Sequence, residues 1–273
     1  MQTDRLAQPL IDIGVNLTDG AFKKHREAVI NAAAEAGVDT LIITGTTLQE
    51  TQQAITLCQQ HRGRLFCTAG VHPHYSKDFT NSSASELKAL LQAPEVVAVG
   101  ETGLDFNRNY STPEQQSKAF EQQLELACET GLPLFLHERD AHPQQIEMLR
   151  SYRDHFSHAV AHCFTGNKQE LYNYLDLDLH IGITGWICDE RRGAHLHPLL
   201  KEIPSHRLML ETDAPYLLPR DLKPKPKSRR NVPQYLPHIL TTTASLLGKS
   251  TEQLAKETRH TSIAFFGLSA HLS

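Results

Sequence analysis

The sequence predicts a (β/α)₈ TIM barrel, built as a single domain over residues 1–273. Three observations carry that expectation. Short apolar runs rich in Val, Ile and Leu recur along the chain, each followed by a helical pattern. The runs are continuous instead of alternating, which suits parallel strands covered on both faces. Eight such units fill 273 residues, a length typical of this barrel. An open doubly wound sheet shows the same alternation but does not usually need eight units.

In chain order the runs are Leu10–Val15, Leu41–Thr44, Leu65–Val71, Val96–Val99, Leu134–Leu136, Ala159–Ala161, Leu179–Ile183 and Leu208–Leu210. The intervening helices carry their own signals. After Asp19, the apolar positions Phe22, Val29, Ala33 and Ala36 mark a helix that stops at Gly37. Thr47-Leu48-Gln49-Glu50 reads as a capping box ahead of Ile55 and Cys58. Thr112-Pro113-Glu114-Gln115 is a second one, with proline at the first helical position. Phe120, Leu124, Ala127 and Cys128 then share a face, and Gly131 closes the helix.

Composition narrows the class. Hydrophobic content of 40% and charged content of 21% are those of a soluble globular chain. No apolar stretch is long enough to span a bilayer, and MQTDRLAQPL lacks the basic patch and apolar core of a signal peptide. Five cysteines (58, 67, 128, 163 and 188) are an odd number without CxxC spacing, which argues against a disulfide framework and for a reducing cytoplasm. A net charge of -4 gives no global sign of a nucleic-acid partner, so any polyanion site must be local. A single barrel of this size needs no partner, and a monomer is expected.

The residues just past the eight runs are Asn16, Gly45, His72, Glu101, His137, His162, Thr184 and Asp213. In a parallel barrel they share the C-terminal rim, where barrel enzymes place their chemistry. A lone histidine there is more often a structural hydrogen-bonding group, and a lone carboxylate is often an N-cap. Five such groups on one rim are poorly explained one at a time. Two histidines and a carboxylate converging on a point form an accepted ligand set for a divalent cation. Glu101, preceded by the apolar run Val96–Val99, needs a positive partner, and a metal held with His137 and His162 would supply it.

The motifs GVHPH (70–74), GETGLDF (100–106), LHERDAH (136–142), AHCFTG (161–166), GITGWICDERRG (182–193) and ETDAPYLLPRDL (211–222) resemble those of the TatD family of metal-dependent deoxyribonucleases. The resemblance runs in order over nearly the whole chain. It implies an amidohydrolase-like barrel that hydrolyses phosphodiesters with Mg²⁺ or a similar ion. The implied activity is 3′→5′ exonucleolytic on single-stranded DNA, with RNA as a further substrate. The family's bridging glutamate falls on Glu101, its strand-five and strand-six histidines on His137 and His162, its ETDAP aspartate on Asp213. Its GxHPH histidines, used near the scissile phosphate, are His72 and His74. Many members carry D-x-H-x-H on strand one; here that segment reads Asp12-Ile13-Gly14-Val15-Asn16. One firm metal site is therefore expected and at most a conditional second one, with Asn16 offering only an amide oxygen. Glu138 beside His137 has no assigned role.

Asp213 is expected to orient the attacking water and accept its proton, and His72 to donate to a phosphate oxygen or the leaving group. Asp105 is expected to hold a ligand histidine by its other ring N–H. PRDLKPKPKSRRN (219–231) carries six Lys or Arg against one Asp, including Arg229 and Arg230. With Arg108, Arg139, Arg191 and Arg192 on neighbouring loops, that is a cationic collar for a polyanionic backbone. Trp186, Phe106, Phe164 and Tyr216 near strand ends either stack bases or pack loops. The ligand set suits Zn²⁺ or Mn²⁺ as well as Mg²⁺. A competing reading is a metal-dependent hydrolase of small esters, lactones or amides, or of the aminoacyl ester on tRNA; the basic loop argues against a small neutral substrate.

Overall fold

The computed structural model describes residues 8–271. The reading of the extreme N-terminus as free of a leader concerns residues 1–10, most of which lie outside that range. The strands are β1 (Leu10–Val15), β2 (Val38–Ile43), β3 (Leu65–Ala69), β4 (Val96–Asp105), β5 (Leu134–Arg139), β6 (Ala159–Ala161), β7 (His180–Ile183) and β8 (Leu208–Leu210). The helices are α1 (Arg26–Glu35), α2 (Leu48–Gln60), α3 (Asn81–Leu90), α4 (Pro113–Thr130), α5 (His142–Tyr152), α6 (Lys168–Asp176), α7 (Leu196–Leu199), α8 (Leu236–Leu247) and α9 (Thr251–Phe266).

Each strand pairs in parallel with the next, in the order β1 to β8. The seam between β8 and β1 is closed just above the strand ends. Val15 bridges Ala214 in parallel register, the Asn16 N–H donates to the Ala214 carbonyl at 2.7 Å, and the Asp213 N–H donates to the Gly14 carbonyl at 2.9 Å. Asp12 fastens the same seam from within: its buried carboxylate accepts from the Thr212 N–H at 2.9 Å and the Thr212 hydroxyl at 2.5 Å. The chain is therefore a nearly closed (β/α)₈ barrel, joined at the β8–β1 seam by this bridge, as the alternation predicts.

The inward side chains Ile13, Ile42, Phe66, Val97, Phe135, Val160 and Met209 pack into one buried cluster inside the barrel. Phe265 and Phe266, at the end of α9, join that cluster. The C-terminal helix thereby plugs the N-terminal mouth and leaves the opposite rim open. Burying each such side chain contributes about 1.5–3 kcal/mol. The helices lay the remaining apolar residues against the outside of the sheet.

The capping predictions meet the structure in two ways. Thr112 and Gln115 make the reciprocal box at the start of α4, and Gly131 ends it in the left-handed region. At α2 the Thr47 hydroxyl accepts from the Glu50 N–H, but the Glu50 carboxylate turns to the Thr46 hydroxyl.

Strand extents differ from the apolar runs, and for a reason. β2 starts at Val38, three residues ahead of its run, and β4 continues through Glu101 to Asp105. The ladder is made by backbone, so polar side chains end the apolar pattern without ending the pairing. Gly103 stands opposite His137 and Asp105 opposite Arg139. Glu101 and His137 thus sit within paired strands, more rigidly held than residues in loops. Gly100 makes this possible: its φ of 140° lies where side chains are rarely accommodated, and a Cβ there would stand 2.2 Å from the Phe135 carbonyl oxygen.

At the closed end, the His180 ring packs against Phe265 with centroids 4.8 Å apart. Burial, aided by the charges of His158, Arg207 and His206, lowers its pKa to about 4. The unfolded chain therefore binds this proton first as pH falls, and stability rises with pH across the interval. Thermal unfolding should show a loss on the order of 1–2 kcal/mol between about pH 6.5 and pH 4 that is reduced in His180→Asn.

Candidate active site

Strand alternation explains how the site is assembled. Phe135 and Val160 point into the barrel core, so His137 and His162, two residues further on, point the same way one layer higher. The Phe135 ring forms part of their floor, 4.8 Å from the His162 ring by centroids. Above that floor a cleft of about 700 Å³ opens on the C-terminal rim.

One carboxylate oxygen gathers the imidazoles. Glu101 Oε1 lies 2.9 Å from His137 Nδ1, 3.5 Å from His72 Nε2 and 3.5 Å from His162 Nε2. Glu101 is 6% exposed, and burial alone would raise its carboxyl. The imidazoles of His72, His162 and His137 overcome that and hold it well below the usual carboxylate range. The ligand atoms of His72, Glu101 and His137 all fall within 4.8 Å of one another. The sequence expectation grouped Glu101 with His137 and His162; both rings lie within 3.5 Å of Glu101 Oε1, while the set whose ligand atoms are all mutually close is Glu101, His137 and His72.

The two rings differ from His72 in protonation. Burial would lower His137, but Asp105 and Glu101 raise it to about 9. His162, opposed by the same burial, is raised to about 10 by Glu211 and Glu101. Burial takes His72 down to about 3. Its Nδ1 accepts the His74 N–H at 3.1 Å, which leaves its proton on Nε2, facing Glu101. His72 is thus a neutral hydrogen-bond donor toward the cleft.

Around this centre the remaining candidates fall into place. His74 Nε2 lies 2.7 Å from Asp105 Oδ2, and His137 Nε2 lies 3.4 Å from the same oxygen, an electrostatic contact without hydrogen-bond geometry. Asp105 is also fixed by the N–H groups of Asn107 and Arg108. Asn16 donates from Nδ2 to Asp213 Oδ1 at 3.1 Å. Burial pushes the Asp213 carboxyl up to about 7, with His162 opposing and Glu101 adding to the rise. Arg108 and Arg139 line the cleft. Arg229 and Arg230 are not among its lining residues: Arg229 is exposed on the loop after β8, and Arg230 donates to the Ala21 carbonyl and lies over the Phe22 ring. Glu138, unassigned from sequence, accepts the Ala141 N–H at 2.9 Å ahead of α5. Trp186 lines the cleft with the Arg192 guanidinium 4.4 Å above its ring.

Sequence reasoning missed Glu211. Its buried carboxylate accepts from His162 Nδ1 at 2.7 Å and from the Cys163 N–H at 2.6 Å. That bond orients the ring and leaves Nε2 toward Glu101. The signal was present: Glu211 stands two residues past inward-facing Met209. Two glycines make room for it. A Cβ on Gly14 would meet Glu211 Oε2 at 2.4 Å, and a Cβ on Gly182 would meet Oε1 at 2.4 Å. Gly14 stands at the position of the first histidine of the D-x-H-x-H pattern, and the Glu211 carboxylate fills that volume.

The donor set fits a divalent cation. His137 Nε2 is buried without a hydrogen-bond partner. Two protonated imidazoles beside one buried carboxylate also place positive charge where an ion with the same ligands would place it.

A nearly closed parallel barrel with carboxylates and imidazoles gathered on its C-terminal rim defines a metal-dependent barrel hydrolase. The family model described as TatD related DNase matches residues 11–267. The chain is 51% identical over 259 residues to the 3′-5′ ssDNA/RNA exonuclease TatD of Erwinia amylovora, covering 95% of this chain and 100% of that protein. To the protein of the same name from Klebsiella pneumoniae it is 50% identical, covering 95% of this chain and 98% of that one. Among solved structures, a TatD-family hydrolase from Entamoeba histolytica superposes with a TM-score of 0.87 at 26% identity, over 96% of this chain and 99% of that one. A TatD homolog from Escherichia coli gives 0.85 at 25% identity, over 94% and 98%. The chain belongs to the TatD family of deoxyribonucleases, and it is a nuclease of that type.

The Glu211 slot makes a quantitative expectation. Gly182→Ala should lower the unfolding free energy by about 1–3 kcal/mol, because it displaces a buried carboxylate from its donors. In a Glu211→Ala background the same change should cost much less, and a double-mutant cycle on unfolding measures the difference.

Proposed function

We propose that this protein is a 3′→5′ exonuclease of single-stranded DNA, acting also on RNA, that works with a bound divalent ion. What carries the reading is the convergence of Glu101, His137 and His162 beneath a cleft lined by arginines, in a chain half identical to proteins named for that activity. Mg²⁺ is the ion favoured by the family resemblance; the imidazoles admit Mn²⁺ or Zn²⁺.

Glu101, His137 and His162 would hold the ion. His162 offers Nε2 because Glu211 takes the proton on Nδ1. When bound, a divalent ion makes water a nucleophile at neutral pH and neutralises charge on the phosphoryl oxygens. The residues do the rest. Asp213 Oδ1 is engaged by Asn16, so its other oxygen receives the proton of the attacking water; a carboxyl near 7 is matched to that task. His72, with its proton on Nε2, donates to a phosphate oxygen or to the leaving oxygen. Asp105 holds His74 at the edge of the same group. Arg108 and Arg139 take the flanking phosphates, and the exposed Arg229 adds to the field that draws the strand in. Tyr75 and Tyr216, both about half exposed on the cleft wall, offer flat faces to bases.

We take the chain as one domain acting as a monomer, because a single barrel of this size needs no partner to complete its core. Five free cysteines support a reducing cytoplasm. No helix among the described residues is long and apolar enough to cross a membrane. DNA degradation or repair is the setting this activity would serve.

A labelled single-stranded oligonucleotide with Mg²⁺ is expected to shorten from its 3′ end, and EDTA to stop it. Glu101→Ala and His137→Ala should each slow the reaction about 10²-fold or more while leaving the circular dichroism spectrum in place. An intact oligonucleotide beside turnover of a lactone or amide would move the assignment to small-molecule hydrolysis.

A further inference from the structure

A second group of ligating side chains lies outside the cleft. Cys188 ends the turn Gly185–Cys188 after β7, Asp221 lies on the loop after β8, and His238 is on α8. Their ligand atoms all lie within 4.8 Å of one another. Cys188 is buried, with Sγ 3.5 Å from Thr242 Oγ1; His238 Nε2 lies 2.6 Å from Asp221 Oδ1. We propose that Cys188, Asp221 and His238 form a zinc-type metal site that fastens the basic loop after β8 to the barrel.

The donor chemistry selects the ion. A thiolate, an imidazole and a carboxylate suit a borderline cation such as Zn²⁺ or Co²⁺, and not strongly hydrated Mg²⁺, which prefers oxygen. Tetrahedral ligands of such an ion stand about 3.3–3.6 Å apart, so the His238–Asp221 pair, now 2.6 Å apart, opens by side-chain rotation to admit the ion between them and the Cys188 sulfur. On binding, the Cys188 thiol releases its proton to solvent, and His238 binds as neutral imidazole with its proton on the other nitrogen. The two anionic ligands then balance the charge of the ion beside the buried Cys188 sulfur. Asp221 is exposed, giving an entry path and a fourth position for water. The nearest basic neighbour in sequence, Arg220, is matched by Asp189 at 3.6 Å and Glu190 at 3.5 Å. A nucleophilic role for Cys188 does not fit, because the thiol is buried and is not among the residues lining the cleft.

The position gives the site a purpose. Asp221 is the only acid in 219–231, and the segment beyond it carries Lys223, Lys225, Lys227, Arg229 and Arg230. Like charges at that density repel one another and favour an extended, loose segment. A metal clip at its first turn ties it to the end of β7 and to α8, independently of the cleft and of what the cleft hydrolyses.

The test is a Co²⁺ titration of chelator-stripped full-length protein, followed by the thiolate-to-cobalt charge-transfer absorption. Wild type, Cys163→Ser and His137→Ala should all develop the band, and Cys188→Ser should not. Cys163 is included because it adjoins His162 in the cleft. His238→Gln, at a half-exposed position that folding tolerates, should weaken cobalt binding about 10-fold or more. Zn²⁺ should slow tryptic cleavage within 219–231 in wild type and leave it unchanged in Cys188→Ser. Absence of the band in wild type, its loss in Cys163→Ser, its persistence in Cys188→Ser, or unaltered affinity in His238→Gln would each overturn the proposal.

Discussion

The site depends on one buried carboxylate that cannot be left alone. Glu101 sits on β4 with little access to water, and a charge in that position costs several kcal/mol unless cations and hydrogen-bond donors surround it. Three neighbouring segments provide them: His72 follows β3, His137 is on β5, and His162 follows β6. These imidazoles tie four consecutive parts of the sheet to a single oxygen. Two of the rings are also held from their far side by hydrogen bonds: Glu211 accepts from the outer nitrogen of His162, and the His74 amide donates to that of His72, while Asp105 faces His137 electrostatically. The result is a set of rings whose orientations are fixed before any ion or phosphate arrives, the condition under which electrostatic catalysis is strongest.

The other half of the construction is the seam where β8 meets β1. Only a short bridge and a few backbone bonds close the barrel there, and the Asp12 carboxylate reinforces them through Thr212. Thr212 and Asp213 follow Glu211 directly, so the segment that closes the barrel also delivers the carboxylate holding His162 and the proposed proton acceptor. Gly14 and Gly182, on the strands to either side, are small because the Glu211 carboxylate needs their space. Closure and site assembly are therefore one event in this molecule.

Two features of the cationic rim separate what charge counting reads from what position decides. The basic loop stands out in sequence, yet Arg230 spends its guanidinium on the Ala21 carbonyl and the Phe22 ring, while the isolated Arg108 and Arg139 line the cleft. Trp186 likewise carries Arg192 on its ring. Side chains with both a flat apolar face and a charge are used for packing as readily as for recognition.

Local pattern alone determined the barrel, because eight continuous apolar runs with capped helices between them leave few ways to bury both faces of every strand. The rim residues were legible for the same reason: polar groups such as His72 and His162 stand out directly after an apolar run. What local pattern misses is whatever the backbone ladder decides, since pairing tolerates any side chain. The extension of β4 through Glu101 to Asp105 is such a case. Only the tertiary structure chose the partners of each polar group. Glu211 beside His162, and Cys188 near His238, join residues far apart along the chain. Contacts of that kind depend on how the sheet curves and closes, a property that no single stretch of sequence contains.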